Sequence, residues 1–363
     1  MTASIRMSAL DAANLVLEYG RTPMHVAALQ TFKIPAKAPS AFVPKLFDHL
    51  RSFPVTEAPF NYRLARGLFG KLLPAWEQID EVDLDRHFRY VALNRAGDQR
   101  ELNALVSRLH SIPMDMSKPL WEIHLIDGLA GGRFALYSKI HHALVDGIHG
   151  VKLFKPPDMP PGKSYVRPVW AARGAAQQPS ESRRNSLLEE IPAMIVREAS
   201  ALPSLSQGLL RSAKSAVGLG EARDLDSVAE APRTMFNATI GPGRLLETQS
   251  LSLKRFTAIA HSAGGTINDV VLAVCSGALR RYLDELDQLP DRSLIAAVPF
   301  ALPHDESEKT GNAVSGLNAN LGTNIADVRK RFDAIRRSTE AGKSHLRKMT
   351  AVAAQRLSLI HIS

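Results

Sequence analysis

Cysteine is nearly absent: Cys275 stands alone among 363 residues, which excludes an intramolecular disulfide and any zinc or iron–sulfur site built on several thiolates. A single thiol agrees with a reducing compartment. Long apolar runs are missing too. The longest, Leu294 to Leu302, is short and interrupted by Pro299, and the first thirty residues hold no apolar stretch flanked by basic residues. Neither a membrane span nor a signal peptide is expected, and the expected location is cytoplasmic. Glycine and proline are unremarkable at 23 and 22 residues, and aromatics make up only 6%. Collagen-like and low-complexity classes are thereby excluded. With 45% hydrophobic and 22% charged residues, the chain reads as an ordinary globular protein, long enough for two domains.

Acidic charge falls short of basic charge, giving a formal net charge of +9, and where the excess sits matters more than its size. Lys152 to Asn185 holds seven Lys/Arg against two Asp/Glu, and Asp327 to Lys348 holds eight against three. The rest of the chain is close to neutral. One segment reads as a linker and the other as a surface helix, which suit a solvated face, anionic headgroups or a phosphate-bearing substrate as readily as nucleic acid. Without aromatic interleaving or a recognisable module, nucleic-acid binding is not expected.

Capping and periodicity organise the N-terminal part. Ser8 followed by Asp11 starts a short helix to about Tyr19, and Met24 to Phe32 (MHVAALQTF) reads as a strand. Asp98 and Glu101 form a capping pattern for a helix striped by Leu102, Leu105, Val106 and Leu109, and Pro113 ends it. PLWEIHLID (Pro119 to Asp127) and RFALYSKIHH (Arg133 to His142) are β-like runs around a loop with Gly128, Gly131 and Gly132, a hairpin signal. After Lys155 the composition turns to Pro, Ala, Gln, Ser and Arg, too polar to order itself. This yields a domain over 1–150, a linker with surface helices over 151–235, and a second domain over 236–363. In the latter, Thr248 to Leu253 is strand-like, and Thr266 caps a helix with Asp269 three residues on and Val270, Val271, Val274, Ala278 and Tyr282 along one side. Cys275 is expected in the core, Ser293 to Pro299 in a buried strand, and Asp327 to Lys348 in a basic helix.

The densest reactive cluster is His141-His142-Ala143-Leu144-Val145-Asp146-Gly147. Strand alternation puts His142 on the side of Phe134, Leu136, Ser138 and Ile140, and His141 with Tyr137 and Lys139, so only one of the pair should enter the interior. Partial burial without a carboxylate neighbour keeps an imidazole neutral near pH 7, the state a general base needs. A helix would bring His142 and Asp146 together as metal ligands, but a strand followed by a turn separates them, and no metal site is expected. Asp146 reads as a tether for the turn. A core histidine beside a turn aspartate is the plainer alternative for the motif alone. Gly342-Lys343-Ser344 is not the end of a phosphate loop, because Arg337 stands where its first glycine belongs. The aromatic and basic residues from Phe60 to Trp76 suit either the core or a membrane-surface helix, and this stretch is the first candidate for peripheral attachment.

PLWEIHLIDGL, HHALVDG and TINDVVLAVCSGALRRYL, together with PMHVAALQTF (Pro23 to Phe32) and GNAVSGLNANLGT (Gly311 to Thr323), resemble the bacterial wax ester synthase/diacylglycerol acyltransferase family. The resemblance implies an α/β fold of two chloramphenicol-acetyltransferase-like domains joined by a long linker, and transfer of a fatty acyl group from acyl-CoA to a long-chain alcohol or diacylglycerol. His142 would then remove the hydroxyl proton, with His141 and Asp146 holding the loop. Gly147 would lie beside the substrate channel, and Pro119, Leu120 and Trp121 would form the packing motif. Asn268 and Asp269 match the family's ND pair near the domain interface, where the asparagine would help stabilise the oxyanion; a plain helix-start role for Asp269 carries equal weight. Acyl-CoA is a co-substrate and no cofactor is implied. Attachment to a membrane or lipid-inclusion surface is a further expectation.

Three departures from the family pattern stand out. His149 occupies a position usually small, PPDMPP follows Phe154 almost directly, and an SNVPGP-like segment is missing. The expectation is a C-terminally truncated chain with an incomplete second domain, whose last residues, SLIHIS, are not natural sequence. The alternative function is a catalytically impaired, lipid-surface-binding remnant of the same fold.

Overall fold

A computed structural model describes residues 4–7, 9–18, 22–65, 74–145, 167–171, 231–301 and 314–347. The chain divides into two compact units, the first comprising Met1–Ser182 with Ile240–Gln249 and the second Arg183–Thr239 with Ser250–Ser363. Asp146, Gly147 and His149, the proposed Ser8 cap and most of the expected linker lie outside the described residues.

The first unit is organised by a four-stranded sheet. Its strands are β2 (His25–Lys33), β5 (Phe88–Gly97), β6 (Trp121–Leu129) and β7 (Arg133–His141), hydrogen-bonded in the order β2-β7-β6-β5. β7 is antiparallel to β2 and β6, whereas β5 and β6 run parallel. β6 and β7 form the expected hairpin, whose glycines Gly128, Gly131 and Gly132 all take positive φ, a conformation other residues avoid. A second sheet, ordered β1-β4-β3, joins β1 (Ser4–Arg6), β3 (Tyr62–Leu64) and β4 (Ala75–Gln78). β3 and β4 occupy part of the Phe60 to Trp76 stretch that suits a membrane-surface helix by sequence, and Phe60, Tyr62 and Trp76 are buried. The described part of that stretch is therefore strand and core.

Among the described residues, four α-helices accompany the sheets: α1 (Ala9–Glu18), α2 (Phe42–Arg51), the single turn α3 (Leu84–His87) and α4 (Gln99–Ser111). The capping box expected at α4 is complete, with Asp98 accepting from Arg100 and Glu101 amides and Glu101 reaching back to the Asp98 amide. Leu102, Leu105 and Val106 turn inward onto Ile126, Ala135 and Tyr137.

Two segments correct the expected boundaries. Within the region read as linker, Trp170 is 2% exposed and packs with Phe88 and Trp121 in the main core cluster. A large aromatic ring supplies enough apolar area to dock a short polar segment. Residues 240–249, expected in the second domain, run along α4 instead. The Ser111 and Ser107 hydroxyls accept from the Arg244 and Leu246 amides at 2.7 and 2.8 Å, and no strand forms at 248–253.

The second unit contains α5 (Leu253–Ser262), α6 (Ile267–Glu285), β8 (Ile295–Ala301), β9 (Val314–Asn320) and the basic helix α7 (Val328–Arg347). β8 and β9 pair antiparallel, and they are the only two strands of this sheet among the described residues. β8 is half-buried and not interior as expected. Leu272, Leu317, Ala319, Leu321, Ile335 and Leu346 form the core. The apolar side read for α6 is mostly the outer one: Val270 is buried, but Val271, Val274 and Tyr282 are 42–49% exposed and Cys275 is exposed. Ser276 is hidden instead, because its hydroxyl donates to the Leu321 carbonyl, which satisfies the polar group on burial. Among the described residues no single helix is long and apolar enough to cross a membrane.

Candidate active site

The histidine pair sits where the central strand of the first sheet ends. β7 stops at His141 and His142 begins a turn, so strand alternation does not reach His142. His141 is fully buried and His142 half-buried, which corrects the expectation that His142 is the interior member by parity. Both faces of β7 are covered at this end: Tyr137, Ser138, Lys139, Ile140 and His141 are all buried.

Backbone bonds to both neighbouring strands hold the turn. The His142 N–H donates to the Met24 carbonyl at 2.8 Å on the β2 side, and the His141 N–H donates to the Leu120 carbonyl at 2.9 Å on the β6 side. The Leu144 N–H returns to the His141 carbonyl at 2.9 Å, and the Ala143 N–H donates to the His141 ring at Nδ1, 3.0 Å away. The Leu120 bond gives the PLW motif a physical task. Pro119 and Leu120 are buried, Leu120 packs with Ala143, and Trp121 lies edge-on to Phe60, stacks on His87 and Trp170, and donates from Nε1 to the Phe60 carbonyl. Pro119, Leu120, Trp121, His141 and His142 therefore converge.

The chemistry of the two rings differs. Burial first, then the charges of His25 and His142, pushes His141 down to about 4, so it is neutral at physiological pH. A neutral ring whose Nδ1 accepts a hydrogen bond carries its proton on Nε2. That nitrogen lies 3.6 Å from Oε2 of Glu18 and makes no closer hydrogen bond. His141 thus directs its lone pair to the Ala143 amide and its proton toward a carboxylate. It is a supporting ring, while His142 sits at the more open position.

Behind the turn lies a buried polar network that the spacing of the sequence did not suggest. Lys139 donates to the Leu109 and Ile112 carbonyls at 3.0 and 2.9 Å and sits 3.4 Å from Glu122. Burial lowers its pKa, opposed by Glu122. For Glu122, burial raises the carboxyl, but its contacts with His124 and Lys139 outweigh this and hold it below the usual value. His25 meets the His110 carbonyl at 2.8 Å, and His110 meets the Tyr137 hydroxyl at 2.8 Å.

Asn268 and Asp269 belong to the second unit. Asn268 is exposed in the first turn of α6. Asp269 is 2% exposed and accepts from the Thr266 amide, the Thr266 hydroxyl and the Thr339 hydroxyl at 2.7–2.9 Å. This joins the cap of α6 to α7, as the helix-start reading expects. Among the described residues no group of three or more His, Cys, Asp or Glu is placed to hold a metal ion.

The mixed α/β architecture is that of the chloramphenicol-acetyltransferase-like proteins. The first condensation domain of the calcium-dependent antibiotic synthetase superposes with a TM-score of 0.55 at 14% identity, over 98% of this chain and 78% of that one, a likeness of fold. Residues 7–271 match the family model of the wax ester synthase/diacylglycerol acyltransferase catalytic domain, and the chain belongs to that family of O-acyltransferases. The O-acyltransferase WSD of Acinetobacter baylyi is 38% identical over 348 residues, 94% of this chain and 73% of its own. The wax ester synthase/diacylglycerol acyltransferase from Marinobacter aquaeolei VT8 is 33% identical with a TM-score of 0.67, covering 94% of this chain and 72% of that chain.

Proposed function

We propose that the protein moves a fatty acyl group from acyl-CoA to a long-chain alcohol or diacylglycerol, with His142 as general base. An alkanol is too weak an acid to ionise beforehand, so its proton leaves as the oxygen attacks. His142 takes that proton, the new C–O bond forms, the C–S bond breaks, and the imidazolium returns the proton to the departing thiolate, giving an ester and free CoA. The observation that carries this reading is the division of labour in the pair: His141 is interior, with Nδ1 occupied and Nε2 aimed at Glu18, which leaves His142 to meet substrate. His141 holds the loop; tethering by Asp146, a channel-side Gly147 and help to the oxyanion from Asn268 are what the family motif implies. The hydrophobic substrates favour work at a cytoplasmic lipid surface or inclusion. No nucleic acid takes part.

CoA release from a long-chain acyl-CoA and an alcohol tests the assignment. His142→Ala should lower turnover by about 10²- to 10⁴-fold; undiminished turnover refutes the base. The exposed Val271, Val274 and Tyr282 on α6 favour a second reading, lipid-surface binding without turnover, which predicts vesicle binding and no CoA release.

A further inference from the structure

We infer that Glu18 is a positioning residue for the acyl-transfer turn, one carboxylate oxygen fixing both the backbone and the ring from which His142 is held. The inference rests on His142 being the base.

Two contacts meet at Glu18, and a third links one of them to His142. Its Oε2 accepts the Met24 N–H, and the carbonyl of the same Met24 accepts the His142 N–H at 2.8 Å. The Met24 residue is thus clamped at its amide by the carboxylate, and at its carbonyl it clamps the catalytic turn. The same Oε2 faces Nε2 of His141 at 3.6 Å, beyond hydrogen-bond length but close enough for electrostatic preference. Because Nδ1 of His141 accepts from Ala143, the proton on Nε2 points at that oxygen, and the carboxylate favours this tautomer over its alternative. Losing Glu18 would free the Met24 amide and remove the bias on the ring that braces Ala143, loosening both sides of His142 at once.

Its location is otherwise hard to explain. Glu18 is the last residue of α1, where the negative end of the helix disfavours a carboxylate. It is also half-buried, and burial raises its pKa against the opposing Met24 bond. A carboxylate kept there against both penalties has a local task, and these contacts supply it.

Because Oε2 alone makes both contacts, the amide oxygen of glutamine can replace it, whereas aspartate keeps the charge but falls one methylene short. Initial rates of CoA release from palmitoyl-CoA and hexadecanol would be measured for this chain and for Glu18→Gln, Glu18→Asp, Glu18→Ala and His142→Ala. Expected are a Gln variant within about threefold of the parent, and Asp and Ala variants reduced in kcat by about 10- to 100-fold, as misplacement of a catalytic group implies. KM for palmitoyl-CoA should stay within about twofold, since no substrate contact is removed. Full activity in Glu18→Ala, or a Gln variant as impaired as Ala, overturns the inference. Should Glu18→Ala fail to fold, the Gln and Asp variants decide, and Asp exceeding Gln overturns it. A dead His142→Ala beside a fully active Glu18→Ala removes this inference alone; a fully active His142→Ala removes the base assignment with it.

Discussion

Replacing Trp170 by alanine tests whether a segment that reads as linker is structural core. Trp170 is 2% exposed, its ring centroid lies 5.7 Å from that of Trp121 and 4.9 Å from that of Phe88, and Nε1 donates to the Phe53 carbonyl at 3.2 Å. An aromatic of this size removes about 150–250 Å² from water, worth about 4–6 kcal/mol at about 25 cal/mol per Å². Unfolded chains already hide part of that area, so Trp170→Ala should cost about 3–5 kcal/mol, the range found for such truncations. For a unit of this size each kcal/mol lowers Tm by about 2–4 °C, giving a fall of about 6–20 °C. Scanning calorimetry should show the fall in the transition of the first unit, leaving the second unit's transition in place. Trp170→Phe keeps the stacking and loses one hydrogen bond, so it should cost about 1–2 kcal/mol. A Trp170→Ala transition within about 2 °C of the parent refutes the docking of this segment.

Acid should destabilise the first unit. Burial chiefly lowers His110 and His141, each from an ordinary 6.5 to about 4, so the unfolded state binds their protons first, and stability present above pH 6.5 is lost as pH falls toward 4. Glu122, held below the usual carboxylate value, adds loss in the same direction at lower pH. Tm should decline from pH 7 to 4.5, with a shallower slope in His110→Asn; a flat or rising profile contradicts the buried neutral rings. Asp269→Ala removes a cap and leaves the Thr339 hydroxyl without its carboxylate partner, costing about 2–3 kcal/mol in the second unit. If the carboxylate is purely a helix-start device, KM for acyl-CoA in the folded variant stays unchanged. A several-fold rise in KM assigns it to substrate binding instead.

Local signals in the sequence survive best in the fold. The Asp98 and Thr266 caps form as expected, because capping needs only residues three apart. The β6–β7 hairpin forms around glycines at positive φ, again a short-range requirement. Signals that depend on distant partners were lost. Trp170 finds its pocket among Phe53, Phe88 and Trp121, none of which its neighbours reveal. Apolarity alone marks a stripe on α6, yet Ser276 turns inward because Leu321, 45 positions on, offers an acceptor. The return of residues 240–249 onto α4 depends on the Ser107 and Ser111 hydroxyls, which no periodicity marks.

The histidine pair shows how the same limit acts inside a motif. Parity along β7 sends His142 inward only while the strand continues, and its continuation depends on β2 and β6. Both partners yield to turn-directed bonds here: Met24 and Leu120, each just before its strand, give their carbonyls to His142 and His141. The pair is therefore sorted by the tautomer of His141, which Ala143 and Glu18 impose, and not by alternation. A carboxylate against the dipole at the end of α1 was the one trace of this arrangement in the sequence, visible once α1 is known to end at Glu18.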